Sequence, residues 1–435
     1  MNEWSDYEYL LKYHPEVFGH KVSRAGKVNF RLVLKALFRS NLDNLYSLCW
    51  WEGKMKKRDV LVFAASLNQH HSLTSAVSAL GSRCYYVQAA HYEVFDTNPA
   101  VFCLESNFCL SPTDWIRSMI RSIVLFPHIL SESRRYQGEV QNKYVRYLFR
   151  NCGRWFWLRG ILNKCPADWV LTANDHNSEN LMLYALARKL GARTAYVQHA
   201  HVSNLFPPLC FDVAFLDGEC SRDIYHQIAR SHAQDEKESH ICLTGQQKKA
   251  IASEKNDDLS VVGLALNPHV DLRALETLIC QMLKEGFEVC LRPHPRESKE
   301  RREHYSSLAS KNLAVHMDRT VGGAQAFFSE VDILLAGDSS VLLEAALAGK
   351  SAVYVRLLGI HDAPDYYGFV KNGICLELDE FKAIRPQLDG WSKSKWSTEY
   401  DKNLQRYSAS FGTKWMSKEG EWLVKQWEEL GLAKD

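Results

Sequence analysis

Three groups of polar residues in this sequence have types and spacing suited to chemistry. Arg292-Pro-His-Pro-Arg296 follows directly on the apolar run Phe287-Glu-Val-Cys-Leu291. A strand ending there delivers the loop to the carboxyl edge of a parallel sheet, where doubly wound folds bind ligands. Pro293 and Pro295 stiffen the loop around His294. Arg292 and Arg296 are permanently charged and can fork onto two oxygens, so the ligand this loop suits is a phosphate or diphosphate.

Gly337-Asp338-Ser339-Ser340 is the second group. It lies between an apolar strand, Asp332 to Ala336, and a helical run, Val341 to Gly349. Two hydroxyls and successive backbone N–H groups then meet at a helix start, which favours an anion. A strand-Ser-Ser-helix junction alone reads equally as capping, but two such loops at equivalent strand ends describe a nucleotide-phosphate pocket. The third group is Ala173-Asn-Asp-His-Asn-Ser-Glu-Asn180 together with Gln198-His-Ala-His201, each following an apolar strand. A hydroxyl acceptor loses its proton as it attacks, and an Asp or His at the cleft is the usual agent. Asp175 is the expected base, with His176 and His199 as further catalytic candidates. Capping of the next helix by Asp175 or Asn177 is the competing use.

The His-Pro turn followed some 45 residues later by a Ser-Ser helix start resembles the C-terminal lobe of GT-B glycosyltransferases that build bacterial surface polysaccharides. Those that use CMP-sugars, the bacterial sialyltransferases and Kdo transferases, are the nearest in pattern. The CDP-glycerol phosphotransferases of teichoic acid synthesis are similar. The resemblance spans roughly Val261 to Ile374 and, more weakly, Val170 to Gly218. It implies that His294, with Pro295 in the motif, contacts the donor phosphate and that Ser339 and Ser340 contact its phosphate or nucleotide. It also implies that Glu344 holds a ribose. The pattern's acidic base before a glycine has its nearest match in Leu216-Asp-Gly-Glu219, with one acid before the Gly where the family has a pair.

The elements that must carry these loops alternate in type. Val60 to Ala65, Tyr85 to Val87, Trp169 to Thr172, Thr194 to Val197 and Val213 to Leu216 read as strands, separated by helical spacing at Leu73 to Leu80 and Ser178 to Leu190. Ser66 to His71 reads as a polar loop. A second series opens at Leu259 to Gly263 and continues through a helix at Asp271 to Glu285 and strands at Phe287 to Leu291, Val331 to Leu335 and Ala352 to Val355. Strands alternating with helices predict parallel sheets covered on both faces. The expected class is α/β: a GT-B type pair of Rossmann-like doubly wound domains facing a cleft. The expected division is 1–244 for the acceptor side, with a basic helical insertion at about 111–165; 245–400 for the nucleotide-sugar side; and 401–435 for a C-terminal helix packing back on the first domain. Residues 246–258 read as a linker and the first fifty as helical packing.

At 435 residues the chain exceeds one ordinary core, which favours two lobes. Its formal charge is only +2, yet residues 111–165 hold ten Lys/Arg against three acids. Arg146, Arg150 and Arg154 recur every four residues, while Trp155-Phe-Trp157 and Trp115 to Leu125 supply apolar surface. Such a segment suits anionic lipid headgroups or an acidic glycan, and without a recognised module nucleic acid is not expected. Acidic residues at the start and the lack of a long apolar run point to a cytoplasmic protein, peripheral to the inner membrane at most. Twelve scattered cysteines without CxxC pairs read as reduced thiols, with no metal site.

The expected function is transfer of a sugar, with a CMP-sialic acid or CMP-Kdo type donor favoured, to a capsule or lipopolysaccharide glycan or a lipid-linked acceptor. No cofactor beyond the donor and no metal is expected, because no Asp-x-Asp motif accompanies the cationic loop. The alternatives are a CDP-glycerol type polyol-phosphate transferase, a non-hydrolysing UDP-sugar 2-epimerase, and a non-catalytic polysaccharide-assembly component.

Overall fold

The computed structural model describes residues 30–45, 55–88, 102–105, 108–134, 138–204, 206–232, 239–247, 259–268, 270–294, 297–320, 324–358, 365–378, 382–394 and 397–432. Among the described residues thirteen parallel strands form two sheets. The first contains β1 (Arg58–Ala64), β2 (Cys84–Gln88), β3 (Phe102–Glu105), β4 (Ala167–Thr172), β5 (Arg193–Val197), β6 (Val213–Leu216) and β7 (His240–Leu243), in the order β3-β2-β1-β4-β5-β6-β7. The second contains β8 (Val261–Ala265), β9 (Glu288–Arg292), β10 (Val315–Met317), β11 (Ile333–Ala336), β12 (Ser351–Val355) and β13 (Leu376–Leu378), in the order β10-β9-β8-β11-β12-β13. Each sheet winds outward from its first strand and then reverses. The reversal falls between β1 and β4 in one and between β8 and β11 in the other, the position at whose carboxyl ends doubly wound sheets bind ligands.

The strand sequences explain the architecture. Val60 to Ala64 and Ser351 to Val355 are buried at every position, as strands covered on both faces must be. Local signals set the helices between them. Ser66 caps helix Leu67–Leu80, its hydroxyl accepting from Gln69 N, so residues expected in a polar loop belong to the first turn instead. Asp271 caps Leu272–Lys284 in the same way, and Gly286, at φ 81°, ends that helix.

The segment 111–165 is two helices, Pro112–Ser133 and Gly138–Lys164, packed with Phe30–Leu45 around Val33, Leu125, Ile129, Val145 and Phe149. Trp155, Phe156 and Trp157, expected above to supply apolar surface, are not surface residues. They are buried against Leu61, Phe63 and Val170, because the second half of their helix lies on the first sheet. Arg121 and Lys189 stack on Trp155, and Arg154 pairs with Glu179 at 2.8 Å, so much of the basic segment is held by local partners.

The last helix, Glu419–Glu429, returns to the first sheet, where Trp427 meets Trp169 edge-on with ring centroids 5.1 Å apart. The close approach needs a glycine. A Cβ on Gly420 would lie 2.2 Å from the carbonyl oxygen of Ser75. Nine described cysteines are free thiols. Cys109 corrects the expectation of thiols throughout, being disulfide-bonded; pairing depends on the distance the fold sets and not on sequence spacing. Most of the expected linker, 248–258, and the first 29 residues lie outside the described residues.

Candidate functional site

In the second sheet β8 runs between the strands that carry the two phosphate-type loops. Ala265 pairs with Arg292 on one side and with Ala336 on the other, so both loops leave the sheet at the same level. Two strand spacings separate them, about 10 Å. Among the candidate residues, Arg292 is committed within the lobe. Its guanidinium bonds Asp318 and, at 3.4 Å, Thr320, and it lies over the Phe327 ring. His294 is half-buried, and its carbonyl accepts from Glu297 N at 2.9 Å and from Arg302 Nη2 at 2.8 Å. Pro295 and Arg296 lie outside the described residues.

Across β8, Gly337 is buried while Asp338, Ser339 and Ser340 are half-exposed. Ser339 Oγ accepts from Val341 N at 3.4 Å, a long bond, and Ser340 at the cap position makes no side-chain capping bond. Plain capping therefore accounts poorly for the two hydroxyls. Glu344 sits in the first turn of helix Val341–Leu347 and is buried. Asp338 turns toward the lobe junction: its carboxylate accepts from Tyr366 N at 3.1 Å and from Tyr354 Oη at 3.4 Å.

The first sheet's reversal point carries a denser polar group. Asn180 Nδ2 donates to Gln69 Oε1, Thr172 Oγ1 and the Asn174 carbonyl at 3.1–3.2 Å. Asn174 Oδ1 accepts from the backbone of His176 and Asn177, and Asn177 supplies the cap of helix Ser178–Lys189. Asp175 is thereby free of capping duty. It is buried, with Tyr225 Oη donating to Oδ2 at 2.6 Å and His176 Nδ1 2.8 Å from Oδ1. Burial works to raise its pKa, but the bond and charge of His176 and the bond from Tyr225 outweigh it, and the pKa is lowered. Tyr225 moves the other way, raised by burial and then by the Asp175 charge, so its proton stays in place.

A carboxylate can only accept, so Nδ1 of His176 carries the hydrogen and Nε2 is its basic nitrogen. The His176 ring is half-exposed, 6.0 Å from the His199 ring and edge-on to Phe206 at 5.2 Å. His199 Nε2 lies 3.3 Å from Asn174 Nδ2. Asp175, His176 and His199 are thus brought together. The Asp217-Gly218 turn has a different task. The Asp217 carbonyl accepts from Gly245 N and Ala409 N, and a Cβ on Gly218 would strike the Arg406 carbonyl at 2.4 Å.

The loops of the two lobes touch. Ser203 bonds Tyr366, and His201 is packed among Tyr367, Phe369 and Tyr407 with ring centroids 5.1–5.5 Å away. Tyr366, Tyr225 and Asp318 had no signal near the motifs in sequence. Asp318 lies 26 residues from Arg292, Tyr225 lies 50 from Asp175 and Tyr366 lies 163 from Ser203, and only the winding of the sheets brings them in.

No protein-family model and no curated protein sequence matches the chain. Solved structures do. UDP-GlcNAc 2-epimerase from Neisseria meningitidis, bound to UDP-GlcNAc, superposes with a TM-score of 0.52 at 13% identity, over 86% of this chain and 100% of that one. The calicheamicin glycosyltransferase CalG4 gives 0.50 at 13%, over 86% and 98%. The epimerase from Rickettsia bellii gives 0.52 at 11%, over 86% and 97%. The fold is GT-B-like. In this GT-B-like frame both polar groups lie at the carboxyl edges of their sheets, one in each lobe.

Proposed function

We propose that the protein is a GT-B glycosyltransferase that takes a sugar from a nucleotide-activated donor, held by the second lobe, and passes it to a glycan hydroxyl activated in the first. The observation that supports this reading is the common level of Arg292 and Ala336 on either side of β8, from which the His294 loop and the Ser339-Ser340 loop leave the sheet as near neighbours. His294, with Arg296, meets the donor phosphates; Ser339 and Ser340 offer hydroxyls to phosphate or ribose; Glu344 and Asp338 shape the wall. Arg292 positions the loop through Asp318. In the first lobe His176 is the base, through Nε2, and Asp175 orients it and steadies the imidazolium that forms. His199 stands beside them. This assignment follows from burial, since Asp175 is covered and its oxygens are already engaged. Stabilisation of the leaving nucleotide is electrostatic, from His294 and Arg296.

The cytidine donor, a CMP-activated acidic sugar, is proposed on the resemblance of the His-Pro and Ser-Ser motifs. A second reading, a UDP-sugar 2-epimerase, is favoured by the superposition on epimerases over nearly their whole length. Thermal-shift measurements with CMP, CDP, UDP and GDP separate the two. Cytidine nucleotides are expected to stabilise the native chain, and the effect is expected to vanish in His294→Ala. Stabilisation by UDP alone favours the epimerase reading, and indifference to all four overturns the nucleotide crevice.

A further inference from the structure

Helix Pro112–Ser133 is turned against its own composition. Its inner face, packed on helices Phe30–Leu45 and Gly138–Lys164, carries Ser118 and Ser122 beside Leu125 and Ile129, and both serines are fully buried. Ser122 satisfies its hydroxyl on the Ser118 carbonyl. Its outer face presents Ile116, Ile120, Ile123 and Val124, spaced by four, three and one residues on one side of the helix. Helix Phe30–Leu45 does the same, burying Val33, Ala36 and Ser40 and exposing Phe38 and Leu42.

The two outer faces adjoin. Trp115 Nε1 donates to the Asn41 carbonyl at one end, and Phe30 meets Phe126 edge-on at 5.7 Å toward the other, so the helices run antiparallel side by side. The six outward apolar side chains are each 47–67% exposed. Arg31, Lys35 and Arg39 fall on the same side of their helix as Phe38 and Leu42 and are exposed, and Arg117 borders the isoleucines. Branched aliphatics displayed to water, next to cations on a helix pair lying flat, suit an interface that is oily below and anionic above. Among the described residues no helix is long and apolar enough to cross a membrane.

We infer that this two-helix face is a membrane-docking surface that seats on the headgroup layer of an anionic bilayer, with Ile116, Ile120, Ile123, Phe38 and Leu42 entering the acyl boundary and Arg31, Lys35 and Arg39 meeting lipid phosphates. The inference is independent of the donor crevice. It keeps the Trp115 to Leu125 stretch that sequence spacing singled out and replaces Trp155 to Trp157, which are buried, with the outer face of Phe30–Leu45.

The full chain is tested by flotation with phosphatidylcholine vesicles and with vesicles that also contain phosphatidylglycerol. Native protein is expected to float with the anionic vesicles, less so at high salt. The variant Ile120→Ser/Ile123→Ser should bind roughly tenfold more weakly with an unchanged melting temperature, because both side chains are exposed. Arg31→Gln/Lys35→Gln/Arg39→Gln should lose the preference for anionic over neutral vesicles. Equal flotation of native and isoleucine-to-serine proteins overturns the inference, as does failure of the native chain to float. A native dimer, seen by light scattering and converted to monomer by the serine substitutions, overturns it in favour of a contact between copies.

Discussion

At the first sheet's reversal point Gln69, Asn174, Asp175 and Asn180 are buried and bonded into one network, whereas at the second His294, Ser339 and Ser340 stand half-exposed on loops with few internal bonds. The two sheets share one winding order, so topology does not cause the difference. Chemistry does. The proposed base must be held at a fixed angle before the proton moves, and a buried carboxylate bonded to the imidazole holds it there. An anion can organise its own loop, because the ligand supplies the missing acceptors. On the proposed roles, the first crevice is built rigid and the second is completed by the anion it binds.

The sharpest break would come at His176. His176→Ala is expected to lower kcat by about 10²–10⁴-fold with little change in nucleotide binding, since the proposed base touches the acceptor and not the donor. Asp175→Asn should lower kcat in the same direction while keeping the donor KM. A variant whose loss falls on donor binding would erase the distinction between the crevices.

His201 marks the seam between the lobes and makes it sensitive to acid. It is buried among three rings, neither ring nitrogen has a hydrogen-bond partner among the described residues, and burial lowers its pKa from 6.5 to about 4. The folded state favours the neutral ring, so its contribution is complete above about pH 6.5 and is lost as pH falls toward 4, a cost of about 3 kcal/mol. His201→Phe should flatten the fall in melting temperature across that window. An unchanged acid slope would show that the seam does not titrate there.

The smallest effect is expected at Ser340. Its hydroxyl makes no capping bond, so Ser340→Ala should leave the melting temperature in place and raise the donor KM about fivefold, the worth of one hydrogen bond. A drop in stability with unchanged KM would return Ser340 to a structural role.

The interior of the fold was legible in the sequence and its margins were not. Val60 to Ala65, Trp169 to Thr172 and Ala352 to Val355 show as continuous apolar runs because both faces of an inner strand are covered. The four strands without such a signal, β3, β7, β10 and β13, are the four sheet edges. An edge strand pairs on one side only and can be short: Val315-His-Met317 holds one buried residue of three. The loops of the site could be read because they follow inner strands. What each residue does there could not, because Asp318 engages Arg292 from 26 residues away and Tyr225 engages Asp175 from 50.

The return of the chain to its first lobe has a mechanical consequence. Two stretches of polypeptide pass between the lobes, one leaving near Gly245 and one coming back near Ser410, and they touch. Ser408 Oγ accepts from Gln246 N at 3.0 Å, and a Cβ on Gly245 would lie 2.1 Å from Ser410 Oγ. Crossings set far apart would act as two hinges and confine the lobes to one axis. Crossings at a single point put both connections on one pivot, so any movement of one lobe on the other would turn about the Gly245–Ser410 contact and work against the Ser203–Tyr366 and His201 contacts of the seam.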